Sequence, residues 1–199
     1  MPTDVLTTDA DASGSEPRPI RTKRKRRVAI EWTLILIVAV MASFLVRTFA
    51  FQTFYIPSAS MNPTLWQGDR IIVNKLSVDF GTINIGDIVV FKAPPGVAKL
   101  CRDPVTDLVK RVIGLPGDHL YSRGNTIYVN GTPLDQKWSV YPIIGTPISP
   151  TTVTPGHYFM MGDNHPGSCD SRRWGAVPRS DLIGKVFVRI WPLKSIKWF

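Results

Sequence analysis

Hydrophobic positions fall into two regimes along this chain. From Val28 to Val46 they are almost continuous, broken early by Glu31 and closed by Arg47. Nineteen helical residues span roughly 28 Å, close to the thickness of a bilayer's hydrocarbon core. A buried core helix would show one polar face, and this stretch is apolar nearly all round. A cleavable export signal has a shorter apolar core and a small-residue cleavage site. The length and the charged flanks therefore predict an uncleaved transmembrane helix over 28–47. Phe49, Phe51, Phe54 and Tyr55 follow at once, as an aromatic belt at the outer interface would.

After residue 66 the pattern changes to short apolar runs separated by Gly-Asp, Pro-Gly and Asn-Gly. Runs at 70–75, 88–92, 108–113, 126–129, 158–161 and 185–190 are rich in β-branched and aromatic residues. Asn130-Gly131 is a strong hairpin signal. Short strands at this spacing, with no long helical period between them, predict an all-β, largely antiparallel fold. Residues 132–156 carry five prolines and read as an accessory excursion rather than core. The expected organisation is a disordered basic tail over 1–27, the helix over 28–47, and a β-domain over 48–199.

Charge adds orientation. The chain has 199 residues and a formal charge of +9. Seven basic and four acidic residues lie within 1–27, leaving 17 basic against 11 acidic residues, +6, for the rest. The dense run Arg21-Thr22-Lys23-Arg24-Lys25-Arg26-Arg27 abuts the apolar segment, so it should stay in the cytoplasm with everything after Arg47 outside. A basic body beside anionic lipid fits that placement. No nucleic-acid module signature is present, and no nucleic-acid partner is expected. The C-terminal mixture of Trp, Phe and Lys over 191–199 reads as contact with a membrane surface, with a plain final strand end as the alternative. Cys101 and Cys169 fit either one disulfide, if the domain faces an oxidising compartment, or two free thiols. His119, His157 and His165 show no metal-ligand spacing.

Three stretches could carry chemistry. In Tyr55-Ile56-Pro57-Ser58-Ala59-Ser60-Met61-Asn62-Pro63-Thr64-Leu65 the prolines restrict the backbone and predict a rigid, non-helical turn. Such a turn can hold a hydroxyl at a fixed angle; taken alone it is an ordinary Ser/Pro loop. None of the histidines carries a triad signature, so lysine is the alternative base, provided burial lowers its pKa. Strand alternation puts Leu108, Lys110 and Val112 on one face, but Val109, Arg111 and Ile113 make the other face mostly apolar too, so periodicity alone does not say which is buried. The Gly-rich stretch 161–175 gathers carboxylates, hydroxyls and arginines, either as a solvated loop or as support for a catalytic group.

These stretches resemble, in order, those of bacterial type I signal peptidases, the membrane-anchored Ser/Lys endopeptidases. The matching segments are 56–65, 68–75 (Gly68-Asp69-Arg70-Ile71-Ile72-Val73-Asn74-Lys75), 110–118, Gly162-Asp163-Asn164, and 168–175, behind one anchor. The resemblance implies Ser60 as nucleophile and Lys110 as general base. It implies an oxyanion hole made by the Ser60 N–H and the Ser58 hydroxyl. Ser168 would orient the Lys110 amine, and Asp170 with Arg172 and Asp163 with Arg111 would brace the site. Ile56, Met61, Leu65 and Val109 would line shallow apolar pockets for small side chains, as in an Ala-x-Ala pattern. No metal or cofactor is implied. The implied partners are signal-peptide-bearing preproteins and membrane lipid, and the chain is expected to be a monomer of the bacterial cytoplasmic membrane. His165-Pro166-Gly167 departs from the arginine, polar residue and asparagine frequent there, and 132–156 is short for the family's accessory domain. Two other readings stand beside this one: a Ser/Lys peptidase of related fold, self-cleaving or dedicated to one secretion system, and a tethered β-domain that binds exported peptides without cutting them.

Overall fold

The structure is a computed structural model and describes residues 21–102, 104 and 106–199. The reading of residues 1–20 as a disordered tail therefore lies outside the described residues. The chain divides into two units at Ser43/Phe44.

The first helix, α1, runs Arg21–Ala50. It begins within the basic run, not at Val28, and continues past Arg47. Lys and Arg are good helix formers, so the end of the apolar stretch is no reason for the helix to stop. Arg27–Phe44 has mean hydropathy 1.9, and none of it is buried by the rest of the protein. By length and composition this helix can cross a membrane.

The second unit is built on antiparallel sheets. Its strands are β1 (Phe51–Tyr55), β2 (Arg70–Asn74), β3 (Ile88–Lys92), β4 (Asp107–Gly114), β5 (His119–Arg123), β6 (Thr126–Val129), β7 (Thr132–Pro133), β8 (Thr151–Thr152), β9 (His157–Met161), β10 (Val177–Pro178), β11 (Leu182–Trp191) and β12 (Lys197–Trp198). Short helices α2 (Leu76–Asp79), α3 (Val97–Cys101) and α4 (Ser171–Trp174) fill connections. The main sheet has the order β1-β2-β11-β3-β4-β9-β10, with β12 on β11; the smaller sheet has the order β7-β6-β5-β8. Every pairing among the described strands is antiparallel. The fold is therefore all-β behind one N-terminal helix, as the pattern of apolar runs predicts.

The main sheet is buried on both faces, which explains why alternation within 108–113 looked apolar on either side. Val89, Phe91, Leu108, Val112 and Met160 belong to one apolar cluster. Ile71, Val73, Ile88, Val90 and Val186 belong to another, joined by Ile56, Met61 and Leu65 from the turn after β1. Phe54, expected in an interfacial aromatic belt, packs here as well and serves the domain's core.

The excursion expected over 132–156 is wider in the structure and contributes to packing. The small sheet starts at His119, and Ile143, Ile148 and Val153 are buried with Leu120, Ile127, Ile113 and Phe159. The prolines keep this segment extended without making it polar, and the apolar residues between them find the core. Asn130 and Gly131, both with positive φ, form the turn that pairs Val129 with Thr132.

Candidate active site

The turn between β1 and β2 brings Ser60 to Lys110. Its apolar side chains Ile56, Met61 and Leu65 bury against the main sheet, and Leu65 N–H closes a helical turn on Met61 O at 2.9 Å. The base of the turn is pinned where Ile56 N–H donates to Asp69 O and Gly68 N–H to Ile56 O, both at 2.9 Å. Asp69 in turn accepts from the Trp66 N–H at 2.8 Å and from Arg189 Nη1, on β11, at 3.0 Å. Arg189 also donates to Thr64 O at 3.2 Å. A prolyl turn of this kind, nailed to the sheet at both ends, holds its middle residues in one place.

Lys110 lies in the centre of β4, opposite Val89 on β3. It is 3% exposed, and its own-face neighbours are Leu108 and Val112. Lys110 Nζ hydrogen-bonds Ser60 Oγ at 2.6 Å, across fifty residues of sequence. Ser58 Oγ lies 3.3 Å from Ser60 Oγ. A serine hydroxyl, a buried amine and a second hydroxyl thus converge.

The loop after β9 closes the site from the other side. Asn164 donates to the Ser60 turn twice, N–H to Ser60 O at 3.1 Å and Nδ2 to Ala59 O at 3.2 Å. Asp163 takes the Arg111 guanidinium in two-pronged fashion, at 2.8 and 2.7 Å. Arg111 also donates to Gly86 O at 2.6 Å and stacks over the Trp138 ring at 4.7 Å. Asp170 holds Arg172 likewise, at 2.8 Å to each carboxylate oxygen, and accepts from the Gly162 N–H at 3.1 Å. Arg172 reaches on to His165 O at 2.7 Å. Both pairs are nearly or wholly buried, so each charge depends on its partner. Ser168 is buried as well, and its hydroxyl makes no hydrogen bond among the described residues.

A model of the family described as "Signal peptidase, peptidase S26" matches residues 29–191. The chain belongs to this family. It is 38% identical to the "Probable signal peptidase I-2" of Synechocystis sp. over 161 residues, covering 81% of this chain and 72% of that protein. It is 34% identical to the "Signal peptidase I" of Mycobacterium tuberculosis over 241 aligned positions, covering 92% of this chain and 81% of the other. A solved signal peptidase I structure from Enterococcus faecalis V583 aligns at 29% identity with TM-score 0.42, covering 52% of this chain and 96% of that one.

Within this peptidase, the residues singled out from the sequence occupy distinct places. Ser58, Ser60, Lys110 and the loop 162–172 meet at one site. Ile56, Met61 and Val109, with Phe54 and Val90, line a cavity of about 40 Å³ that reaches Ser60 and Lys110. Leu65 does not line it; that side chain is 0% exposed and lies in the core behind. Several residues with a part in the site drew no assignment from the sequence. Asn164 fell in a matching segment without a role, and only the fold reveals its hold on Ala59 and Ser60. Arg189 carried a faint signal, as one charge inside the apolar run 186–190. Trp138 carried none.

Two features of the loop 162–170 complete the picture. His165 is 3% exposed, and burial first, then the Arg172 guanidinium, holds its imidazole below the usual histidine range. Cys101 and Cys169 are joined in a disulfide, which resolves the two alternatives the sequence left open.

Proposed function

We propose that this chain is a membrane-bound serine endopeptidase that cleaves signal peptides from exported preproteins at the outer face of the cytoplasmic membrane. Ser60 is the nucleophile and Lys110 the general base. The observation that carries the reading is the 2.6 Å contact between a buried lysine amine and a serine hydroxyl in a chain of this family. Burial in apolar surroundings disfavours the ammonium form and favours the neutral amine that a base requires.

The chemistry follows from the placement. The Lys110 amine takes the hydroxyl proton as Ser60 Oγ attacks the scissile carbonyl carbon. The oxyanion is met by the Ser60 N–H and the Ser58 hydroxyl. Collapse breaks the C–N bond, and the leaving amine, which becomes the new N-terminus, takes the proton from Lys110. Water then attacks the ester on Ser60, Lys110 again acting as base, and releases the signal peptide as an acid. Ser168, buried and with hydrogen-bonding capacity to spare, orients the amine. The Asp163–Arg111 and Asp170–Arg172 pairs fix the loop that carries it. The cavity beside Ile56, Met61 and Val109 has room for an alanine side chain and little more, which suits small residues before the scissile bond.

Residues 1–27 would be cytoplasmic and 48–199 would form the extracytoplasmic peptidase domain, with the helix as a single-pass anchor. The Cys101–Cys169 disulfide supports an oxidising compartment for that domain. An anchored enzyme meets a membrane-held substrate at raised effective concentration. The test is to incubate the full chain in lipid vesicles with a preprotein carrying an Ala-x-Ala site and to sequence the product. Cleavage after the second alanine is expected. Stable binding of the preprotein without any cut would overturn the reading.

A further inference from the structure

The Cys101–Cys169 bridge has no part in the bond-making described above, yet it stands in the wall of the site. A second cavity, of about 150 Å³, also reaches Ser60 and Lys110. Cys101 and Cys169 line it together with Val97, Leu108 and Trp174. Cys101 ends α3, in the connection from β3 to β4, and Cys169 sits between the buried Ser168 and Asp170. Val97 is the buried residue of α3, and Leu100 faces solvent, so the helix has little apolar grip of its own. The bridge ties this connection covalently to the loop 162–170, which lines the same cavity as Lys110.

We propose that the Cys101–Cys169 disulfide is a positioning element for the general base: it holds an apolar cover beside Lys110 and so sets the pH at which the amine is free to accept a proton. The proposal rests on the Ser60–Lys110 reading and deepens it. An amine facing a cavity walled by sulfur and hydrocarbon loses hydration that favours its charged form, and an opened or hydroxyl-bearing wall restores it. The charged neighbours of Lys110 are left unchanged by the variants below. The titratable groups on the elements around Lys110 are Asp107 and Arg111 on its own strand, Lys92 on β3, Lys99 and Arg102 by α3, His157 and Tyr158 on β9, Asp163, His165 and Asp170 on the loop, and Arg172 and Arg173 on α4. Asp163 and Asp170 are bound to Arg111 and Arg172. The turn 56–65 brings no titratable group, with Tyr55 just before it.

Two paired variants of the full chain separate cover from fold: Cys101→Ala with Cys169→Ala, and Cys101→Ser with Cys169→Ser. The readout is kcat/KM against pH on an Ala-x-Ala peptide, with burst titration of Ser60 to count active sites. Both pairs lose the tether, but only the serine pair adds polar partners for water beside the amine. The serine pair should keep its burst and move the acid limb up by about one pH unit, a tenfold loss at a fixed pH below the limb that is regained in alkali. The alanine pair should move it less. An unmoved limb, or an equal loss at every pH, overturns the proposal. Val97→Ser keeps the bridge and places a hydroxyl in the same wall; it should raise the limb too, and decides the matter if neither pair folds. A wild-type profile with no acid limb would instead sink the lysine base, and with it the reading beneath.

Discussion

Gly162→Ala is a one-carbon change whose effect can be worked out from the structure. A Cβ at Gly162 would meet the Ser60 carbonyl oxygen and the Ser168 hydroxyl, and would lie 2.7 Å from Ser168 Cβ, where ordinary contact begins at 3.4 Å. The Ser168 hydroxyl can rotate aside, but the Ser60 oxygen is backbone and the Ser168 Cβ is fixed to its own backbone. The Ser60 carbonyl also accepts from Asn164, and the Gly162 N–H is held by Asp170. Room must therefore come from moving the Ser60 turn and the 162–170 loop apart by several tenths of an ångström to about 1 Å. Overpacking of this kind costs about 1–3 kcal/mol, and a 1 Å misplacement of a reacting group costs about 10²-fold in rate. Gly131→Ala serves as control: its positive φ also penalises a side chain, by about 1 kcal/mol, but it sits in a hairpin of the small sheet, with no atom within 4 Å of a Cβ. Melting temperature and kcat on a preprotein would be measured for both. Both should melt earlier, and only Gly162→Ala should lose turnover. A Gly162→Ala enzyme with wild-type kcat would refute the claim that the loop and the turn are locked together.

Further outcomes follow from single groups. Asp163→Ala leaves the Arg111 charge buried and unpaired and should cost about 3–5 kcal/mol in urea unfolding, most of it recovered when Arg111→Met is paired with Asp163→Leu; equal stability of the single and double variants would contradict this. Ser58→Ala should lower kcat by about 10²–10³ with little change in KM, and an unchanged kcat would remove Ser58 from the oxyanion hole. His165 has its imidazole pKa lowered in the folded state. Its contribution to stability is thus complete above the unfolded pKa of about 6.5 and is lost as pH falls toward the lower folded value. Comparing melting temperatures at acid and neutral pH, His165→Gln should lose less stability on acidification than wild type; an equal loss would mean that other groups carry it.

What the sequence made legible was local. Asn130-Gly131 forms the hairpin turn it announced, and the Ser/Pro stretch is the rigid turn expected from Pro57 and Pro63. Lys110 was harder, because a sheet buried on both faces erases the alternation that would say which way a strand residue points. Only the β3 and β9 neighbours of β4 settle its burial. Hydrophobicity marks the apolar span from Val28 but not the ends of the helix, which runs Arg21–Ala50 because Lys and Arg also favour helix. The packing of Ile143, Ile148 and Val153 was hidden because prolines look like a loop whether or not the residues between them are buried. Contacts such as Asn164 to Ala59, or Cys101 to Cys169, join positions 105 and 68 residues apart and have no local trace.

The central claim is that a serine and a lysine fifty residues apart act as one unit. The most direct measurement is preprotein processing by Ser60→Ala and by Lys110→Ala, each purified from the full chain and shown to be folded by circular dichroism. Each should lose at least about 10⁴-fold in kcat, since members of a catalytic unit fail together. Processing retained by either folded variant would contradict the account.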